Sequence, residues 1–231
     1  EWAEVLPPLP FFFGDIKLHV HMRILGFDVS STCIGYAVVD FHPATKEMQY
    51  VDSGYLKPDK KIKNILLQLK DTRDKIEEII TEYEPEEIAI EDIIQFMQGK
   101  STAKTIIKLT SFNRMIGLLC LDLLDQAPTM HNVNSIRSSV RKHLVTTSGY
   151  NKEGKIDKEE LPELIAQIFH IQFPWEHKKT GTLKMENYDR SDAMCVAFHH
   201  VYKKYLQPAP SSAKKRKKAP TKAANEKKRS V

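Results

Sequence analysis

A chain of 231 residues with 41% hydrophobic residues and ten phenylalanines is long enough for one domain with a packed core and tails. It contains no apolar run long enough for a transmembrane helix, which argues against a membrane protein. The three cysteines are an odd number and far apart, which argues against a disulfide framework or a thiolate zinc site. We expect a soluble, intracellular protein in a reducing compartment.

The net charge of +5 is unevenly distributed along the chain. Residues 208–231 contain nine lysines and arginines against one glutamate, or +8, so the rest of the chain carries −3. We predict that this tail is disordered, that it binds DNA without selectivity, and that it could act as a nuclear address. The expected location of the protein is therefore the nucleus or a viral or phage replication site. Residues 1–21 have no helical or strand period and are expected to be an appendage, native or introduced by cloning.

Residues 22–207 therefore form the predicted domain. Two apolar stretches joined by a polar loop, at residues 24–28 and 34–40, predict a β-hairpin. The remaining pattern predicts strands at residues 48–55, 87–91 and 129–133, and helices at residues 62–81, 101–125, 135–144, 161–169 and 188–206. Asp157 and Glu160 have capping-box spacing before the fourth helix. This order predicts an α/β fold with a mixed five-stranded sheet: three antiparallel strands, then βα units, with helices on both faces.

Four acidic residues stand where this fold could bring them together. Asp28 closes the first strand and Glu91 the fourth, so parallel pairing of these strands would place both at one sheet edge. Asp189 and Asp192 share a face of the last helix. Each also has a structural explanation, since Asp28 could cap the following turn and the helical pair could stabilise a helix N-terminus.

A cluster of four acids is tolerable only with a cation present or with raised pKa values. Oxygen-only ligands suit Mg²⁺ or Mn²⁺ better than zinc. Such a cluster therefore indicates two-metal phosphodiester hydrolysis, with two ions about 3.5–4 Å apart.

Three segments in order carry a specific family resemblance. They are Ile24-Leu25-Gly26-Phe27-Asp28 with Gly35-Tyr36-Ala37-Val38-Val39, then Ile88-Ala89-Ile90-Glu91, then Asp189-Arg190-Ser191-Asp192-Ala193-Met194. Together they resemble the RuvC family of Holliday junction resolvases, which have the RNase H-like fold. The resemblance implies a homodimer that resolves four-way DNA junctions by paired symmetric nicks, using two Mg²⁺ or Mn²⁺ ions per site. It also implies that Asp28, Glu91, Asp189 and Asp192 are both the catalytic residues and the metal ligands.

The chain departs from this family's pattern after the second acid. Ile94 stands where the family has an aromatic residue, and Phe96 follows two residues later. Thr110-Ser111-Phe112 replaces the Gly-rich signature of the next helix. These differences indicate a divergent member, of phage or large-virus type.

Basic residues and one aromatic residue near the predicted acids are candidates for DNA contact. They are Phe96, Lys100, Lys104, Lys108, Arg137, Arg141, Lys152 and Lys155. The lysines of the long helix recur every four residues and so share a face, as phosphate-positioning side chains do. The alternatives are solvated charged faces and, for Phe96, a buried lid residue. His199, on the face of Asp192, is either a metal or proton ligand or a hydrogen-bonded helix histidine.

Three other functions compete with junction resolution. An RNase H-like nuclease could act on flaps, other branched DNA or RNA–DNA hybrids. An actin-like phosphotransferase would need a second D-x-G-G hairpin, of which residues 51–55 are the only hint. A non-catalytic DNA-binding protein would gain nothing from four acids facing phosphate.

Overall fold

The predicted order of elements is confirmed by a computed structural model, which describes residues 21–93, 102–151, 156–173 and 175–207. The strands are β1 (Met22–Val29), β2 (Ile34–His42), β3 (Glu47–Leu56), β4 (Glu87–Glu91) and β5 (Thr129–His131). The helices are α1 (Ile65–Tyr83), α2 (Ala103–Leu124), α3 (Val133–Ser148), α4 (Leu161–Ile168) and α5 (Glu186–Val201), which continues into a π-helical turn, Tyr202–Leu206. No helix within these described ranges is long and apolar enough to cross a membrane.

Several helix boundaries differ from the predicted ones because of their caps. The Asn64 side chain accepts hydrogen bonds from two backbone N–H groups, so α1 begins at Ile65. The Asn132 side chain likewise starts α3 early, and Gly149, with φ of 66°, ends it four residues later than predicted. The predicted cap at Asp157 is wrong: α4 has Glu160 at its N-cap and no side-chain cap hydrogen bond.

The sheet has the order β3-β2-β1-β4-β5. β1 pairs antiparallel with β2 and parallel with β4, and β5 extends the parallel half. Phe27 pairs with Ile90, so Asp28 and Glu91 are the next residues of their strands at the same edge. The predicted parallel pairing of the acid-bearing strands is therefore confirmed.

Each face of the sheet packs against its own helices because side chains alternate along a strand. On one face Leu25 and Phe27 belong to a buried cluster that includes residues of α1 and α2. On the other face Ile24 and Ala89 belong to a cluster with α3, α4 and α5. Most of α5 is buried, so this helix is the core element of its layer.

Two glycines set how close α5 lies to the sheet. A Cβ atom on Gly26 would lie 2.7 Å from the main-chain oxygen of Ala193. A Cβ atom on Gly35 would lie 2.1 Å from the main-chain oxygen of Asp189, well inside van der Waals contact. The backbone of α5 therefore lies directly on β1 and β2, and this approach brings the acidic end of α5 to the edge that carries Asp28.

Candidate active site

The four predicted acids come from three separate elements and meet at one edge of the sheet. Asp28 lies two residues after Gly26, so it shares the face that α5 covers. Glu91 ends the neighbouring strand β4, where Asn113 of α2 donates a 2.9 Å hydrogen bond to its main-chain oxygen. Asp189 and Asp192 lie in the first two turns of α5. All four side chains are partly buried.

Their pKa values show that the carboxylates act on one another. Burial raises the pKa of Asp28 well above its usual value, and the charges of Asp192, Glu91 and Asp189 raise it further. Burial and the charge of Asp192 raise the pKa of Glu91 to about 7. Burial also raises the pKa values of Asp189 and Asp192. The cluster therefore favours bound protons or bound cations over four free negative charges.

Two basic side chains offset part of this charge. The Nζ atom of Lys158, in the turn before α4, lies 3.5 Å from Oδ2 of Asp192. The Nη2 atom of Arg137 lies 3.9 Å from Oδ1 of the same carboxylate. Burial lowers the pKa of Lys158, but Asp192, Asp189 and Asp28 outweigh it and the net shift is upward.

Sequence reasoning missed Lys158, because it stands among acidic residues in a segment to which only a helix-capping role was assigned. It also missed the contact of Cys33. The Cys33 thiol, which the sequence suggested only as a marker of compartment, hydrogen-bonds Asp189, and burial raises the thiol's pKa. Only folding brings the turn before α4 and the β1–β2 loop against α5, so neither the Lys158 contact nor the Cys33 contact had a signal in the linear sequence.

The donor chemistry of the cluster suits a hard divalent cation. All its donors are carboxylate oxygens, their mutual repulsion requires neutralisation, and the Lys158 ammonium already supplies a positive charge beside Asp192. Among the described residues, however, no three His, Cys, Asp or Glu side chains stand in position to surround one ion. The four acids therefore suit a hard cation by their donor chemistry and their location at one edge of the sheet.

His199 lies outside the acid cluster. Its ring is buried, with Nδ1 2.8 Å from Oγ of Ser139, and it packs edge-on against His131 with the ring centroids 4.6 Å apart. Its neighbour His200 bridges His131 and Glu87. This placement favours the second of the two interpretations of His199, a hydrogen-bonded helix histidine.

The predicted DNA-contact residues divide into three groups. Lys104 and Lys108 line a groove of about 610 Å³ together with Lys60 and Lys63, two lysines that sequence reasoning did not select. Arg137 reaches the acid cluster, and Arg141 is half-buried on the same helix, α3. The remaining four candidates, Phe96, Lys100, Lys152 and Lys155, lie outside the described residues.

The family profile named Crossover junction endodeoxyribonuclease RuvC matches residues 24–200, from β1 almost to the end of α5. The chain belongs to the RuvC family. It is therefore an endonuclease, a hydrolase of phosphodiester bonds, as its sequence indicates. The three segments that carry the family resemblance all lie within the matched residues.

Among curated proteins, the chain is similar to the crossover junction endodeoxyribonuclease RuvC of Helicobacter acinonychis, with 27% identity over 180 residues, or 78% of this chain and 96% of that protein. Among solved structures it resembles Thermus thermophilus RuvC in complex with Holliday junction substrate, with a TM-score of 0.56 and 13% identity over 79% and 95% of the two chains. The yeast mitochondrial Holliday junction resolvase gives a TM-score of 0.53 at 11% identity over 78% of both chains. The predicted RNase H-like fold is confirmed, and the attribution to a phage or large virus stays a prediction.

Proposed function

We propose that this RuvC-family protein resolves four-way DNA junctions by paired symmetric nicks, with Asp28, Glu91, Asp189 and Asp192 holding two Mg²⁺ or Mn²⁺ ions. The observation that carries the proposal is the convergence of four mutually repelling carboxylates from β1, β4 and α5 at one sheet edge. A structural acid is normally paired or capped, whereas burial and like charge raise the pKa values of these four.

The four acids and their basic neighbours divide the chemistry. When bound, the two cations supply an activated water and stabilise the leaving oxygen of an in-line displacement. The carboxylates hold the cations at the sheet edge, and Glu91 is fixed in place through Asn113. Lys158 and Arg137 contribute positive charge beside Asp192, where they can hold the oxygens of a phosphodiester that enters the site.

A purely DNA-binding protein fits this site poorly. Four carboxylates facing phosphate oppose DNA binding, and two cationic side chains do not neutralise them all. The acids therefore favour a role in cleavage over a role in binding. The lysine groove of α1 and α2, with Lys60, Lys63, Lys104 and Lys108, supplies a positive surface that positions a DNA backbone.

Paired nicking on a two-fold junction requires two copies of the site, and α2 offers a surface for a second copy. Leu118 and Leu121 are 62% and 42% exposed, and their spacing of three residues places them on one side of the helix. Leu66 and Leu67, at the start of α1, are also exposed. These apolar side chains support a two-fold homodimer through the α2 surface.

The experiment is cleavage of a four-way junction, a flap, a duplex and an RNA–DNA hybrid of matched sequence, with Mg²⁺. We expect two nicks in strands of like polarity, mapped at symmetric positions across the junction, and no comparable product from the other substrates. The Asp192→Asn variant, purified in parallel, controls for contaminating nucleases. Preferential cutting of the flap or the hybrid would support the alternative RNase H-like nuclease instead.

The dimer is tested separately by light scattering of the Leu118→Glu variant. The unmodified chain should give about twice its 26.6 kDa mass, and the variant should give a single mass with unchanged circular dichroism. Leu123→Glu is the matched control, because Leu123 is also exposed on α2 but points away from the side that carries Leu118 and Leu121. A monomeric unmodified chain, free and on a junction, would contradict paired nicking.

A further inference from the structure

A second cationic groove lies between α3 and the end of α5, away from the lysine groove of α1 and α2. This α3–α5 groove has a volume of about 370 Å³, and its lining includes Ser135, Ser138, Ser139, Lys142, His199 and Lys203. None of its described lining residues is acidic. In the described part of the chain, neither Lys142 nor Lys203 has an ion-pair partner.

The groove is lined almost throughout by hydrogen-bond donors. Ser135, Ser138 and Lys142 share one side of α3, and His199 and Lys203, four residues apart, share one side of α5 and its continuation. Hydroxyl and ammonium groups of this kind bind the oxygens of a phosphate. The His199 ring is 97% buried and fixed by Ser139, while its Nε2 atom has no partner among the described residues.

The groove and the acid cluster lie on the same side of α5. On α5, His199 and Lys203 follow Asp192 by seven and eleven residues, or about 10 Å and about 16 Å along the helix. A phosphate bound beside Lys203 would therefore lie a few nucleotides from the acids along the DNA strand.

We propose that the α3–α5 groove binds a backbone phosphate of the cleaved DNA strand, a few nucleotides from the scissile phosphodiester. The inference rests on the proposed function, since it takes the acids as the point of cleavage. It extends the DNA surface beyond the selected basic residues of α2 and α3 to Lys203 and His199 at the end of α5. A free phosphate ion has the same chemistry, so the test has to separate it from DNA.

The test measures junction binding in Ca²⁺ by the full-length Asp192→Asn protein, with and without Lys142→Gln or Lys203→Gln. Each added substitution should lower the slope of log affinity against log salt by about 0.9, the value for one phosphate contact. Lys46→Gln is the control, because Lys46 is an exposed lysine in the β2–β3 turn, at the opposite end of β2 from the acids. It should leave the slope unchanged.

Position is tested with junctions that carry one neutral methylphosphonate at each of several sites along the cleaved strand. At one position a few nucleotides from the cut, a methylphosphonate should weaken binding of the parent protein and have no further effect on the Lys203→Gln variant. If the loss of affinity caused by the methylphosphonate added to the loss caused by Lys203→Gln at every position tested, the proposal would be overturned. The proposal would also be overturned if inorganic phosphate shifted the NMR signals of His199 while no methylphosphonate position on the DNA had an effect that depended on Lys203.

Failure of this inference is distinguishable from failure of the proposed function. Normal symmetric cleavage by the unmodified protein, combined with unchanged salt slopes for both lysine variants, overturns only the phosphate site. Absence of junction cleavage by the unmodified protein overturns the function itself.

Discussion

Substitution of Gly35 by alanine tests whether the close approach of α5 to the sheet builds the active site. Gly35 is in β2, and an added Cβ atom would meet the main-chain oxygen and carbon of Asp189 at 2.1 Å and 2.5 Å. These are backbone atoms of a buried helix, so no side-chain rotation relieves the overlap. Contacts of this kind normally lie at about 3.5 Å or more, so α5 has to move by more than about 1 Å.

Overpacking of a buried site costs about 1–3 kcal/mol, and a domain of this size loses about 2–4 °C of melting temperature per kcal/mol. We therefore expect Gly35→Ala to melt about 2–12 °C below the unmodified protein. The displaced residue is one of the four proposed ligands, and a misplacement of about 1 Å in a catalytic site can cost about 100-fold in rate. The cleavage rate measured well below the melting transition should fall by about that factor.

The assay combines thermal melting by circular dichroism with single-turnover cleavage of a four-way junction in Mg²⁺. The matched control is Gly117→Ala on α2, where the nearest atom to an added Cβ is the end of the flexible Met130 side chain at 3.5 Å. Alanine favours a helix interior over glycine by about 1 kcal/mol, so the control should melt at or above the original temperature. A Gly35→Ala protein with the control's stability and an undiminished rate would refute this account of how α5 places the acids.

Glu91→Gln and Asp192→Asn should each reduce cleavage by orders of magnitude and preserve junction binding, because the acids hold cations rather than DNA; an exposed acid on α2, changed as Asp122→Asn, is the control. Ca²⁺ in place of Mg²⁺ should permit binding but not cutting, and undiminished activity in EDTA would contradict the two-metal mechanism. With divalent cations removed, the folded state should hold its proton on Glu91 up to about pH 7, whereas the unfolded chain loses it near pH 4.5. The free energy of unfolding should therefore fall as pH rises through this window. The Glu91→Gln variant should show a smaller change of melting temperature between pH 5 and pH 8 than the unmodified protein. Truncation after Gln207 should leave the preferred substrate unchanged and make the salt dependence of binding shallower, since it removes eight net positive charges; an unchanged slope would show that the tail does not contact DNA.

Local patterns in the sequence predicted the elements and the acids well. Alternation and helical spacing depend on near neighbours, so the hairpin, the strand ending at Glu91 and the helix carrying Asp189 and Asp192 were predicted with small boundary errors. The larger errors lie at the ends of α1 and α3. There the side chains of Asn64 and Asn132, and the left-handed backbone of Gly149, decide where the helix begins or ends.

Contacts between distant segments had no comparable signal. Lys158, in the turn before α4, reaches Asp192 on α5, and the Cys33 thiol reaches Asp189 from the β1–β2 loop. Lys60 and Lys63 join the lysines of α2 only because α1 packs beside that helix. A charged residue in a linear sequence does not reveal which other charge it will meet, because that depends on how the layers pack.

The sequence by itself determined the fold class, the family and the four candidate acids, because strand periodicity and three short motifs are encoded by residues close together in the chain. Tertiary structure decided how the acids are combined and neutralised. The parallel pairing of β1 with β4 aligns Asp28 with Glu91, and the glycines at positions 26 and 35 let α5 approach closely enough to add the other two. Burial and mutual repulsion then raise their pKa values, a property that none of these carboxylates has in the unfolded chain.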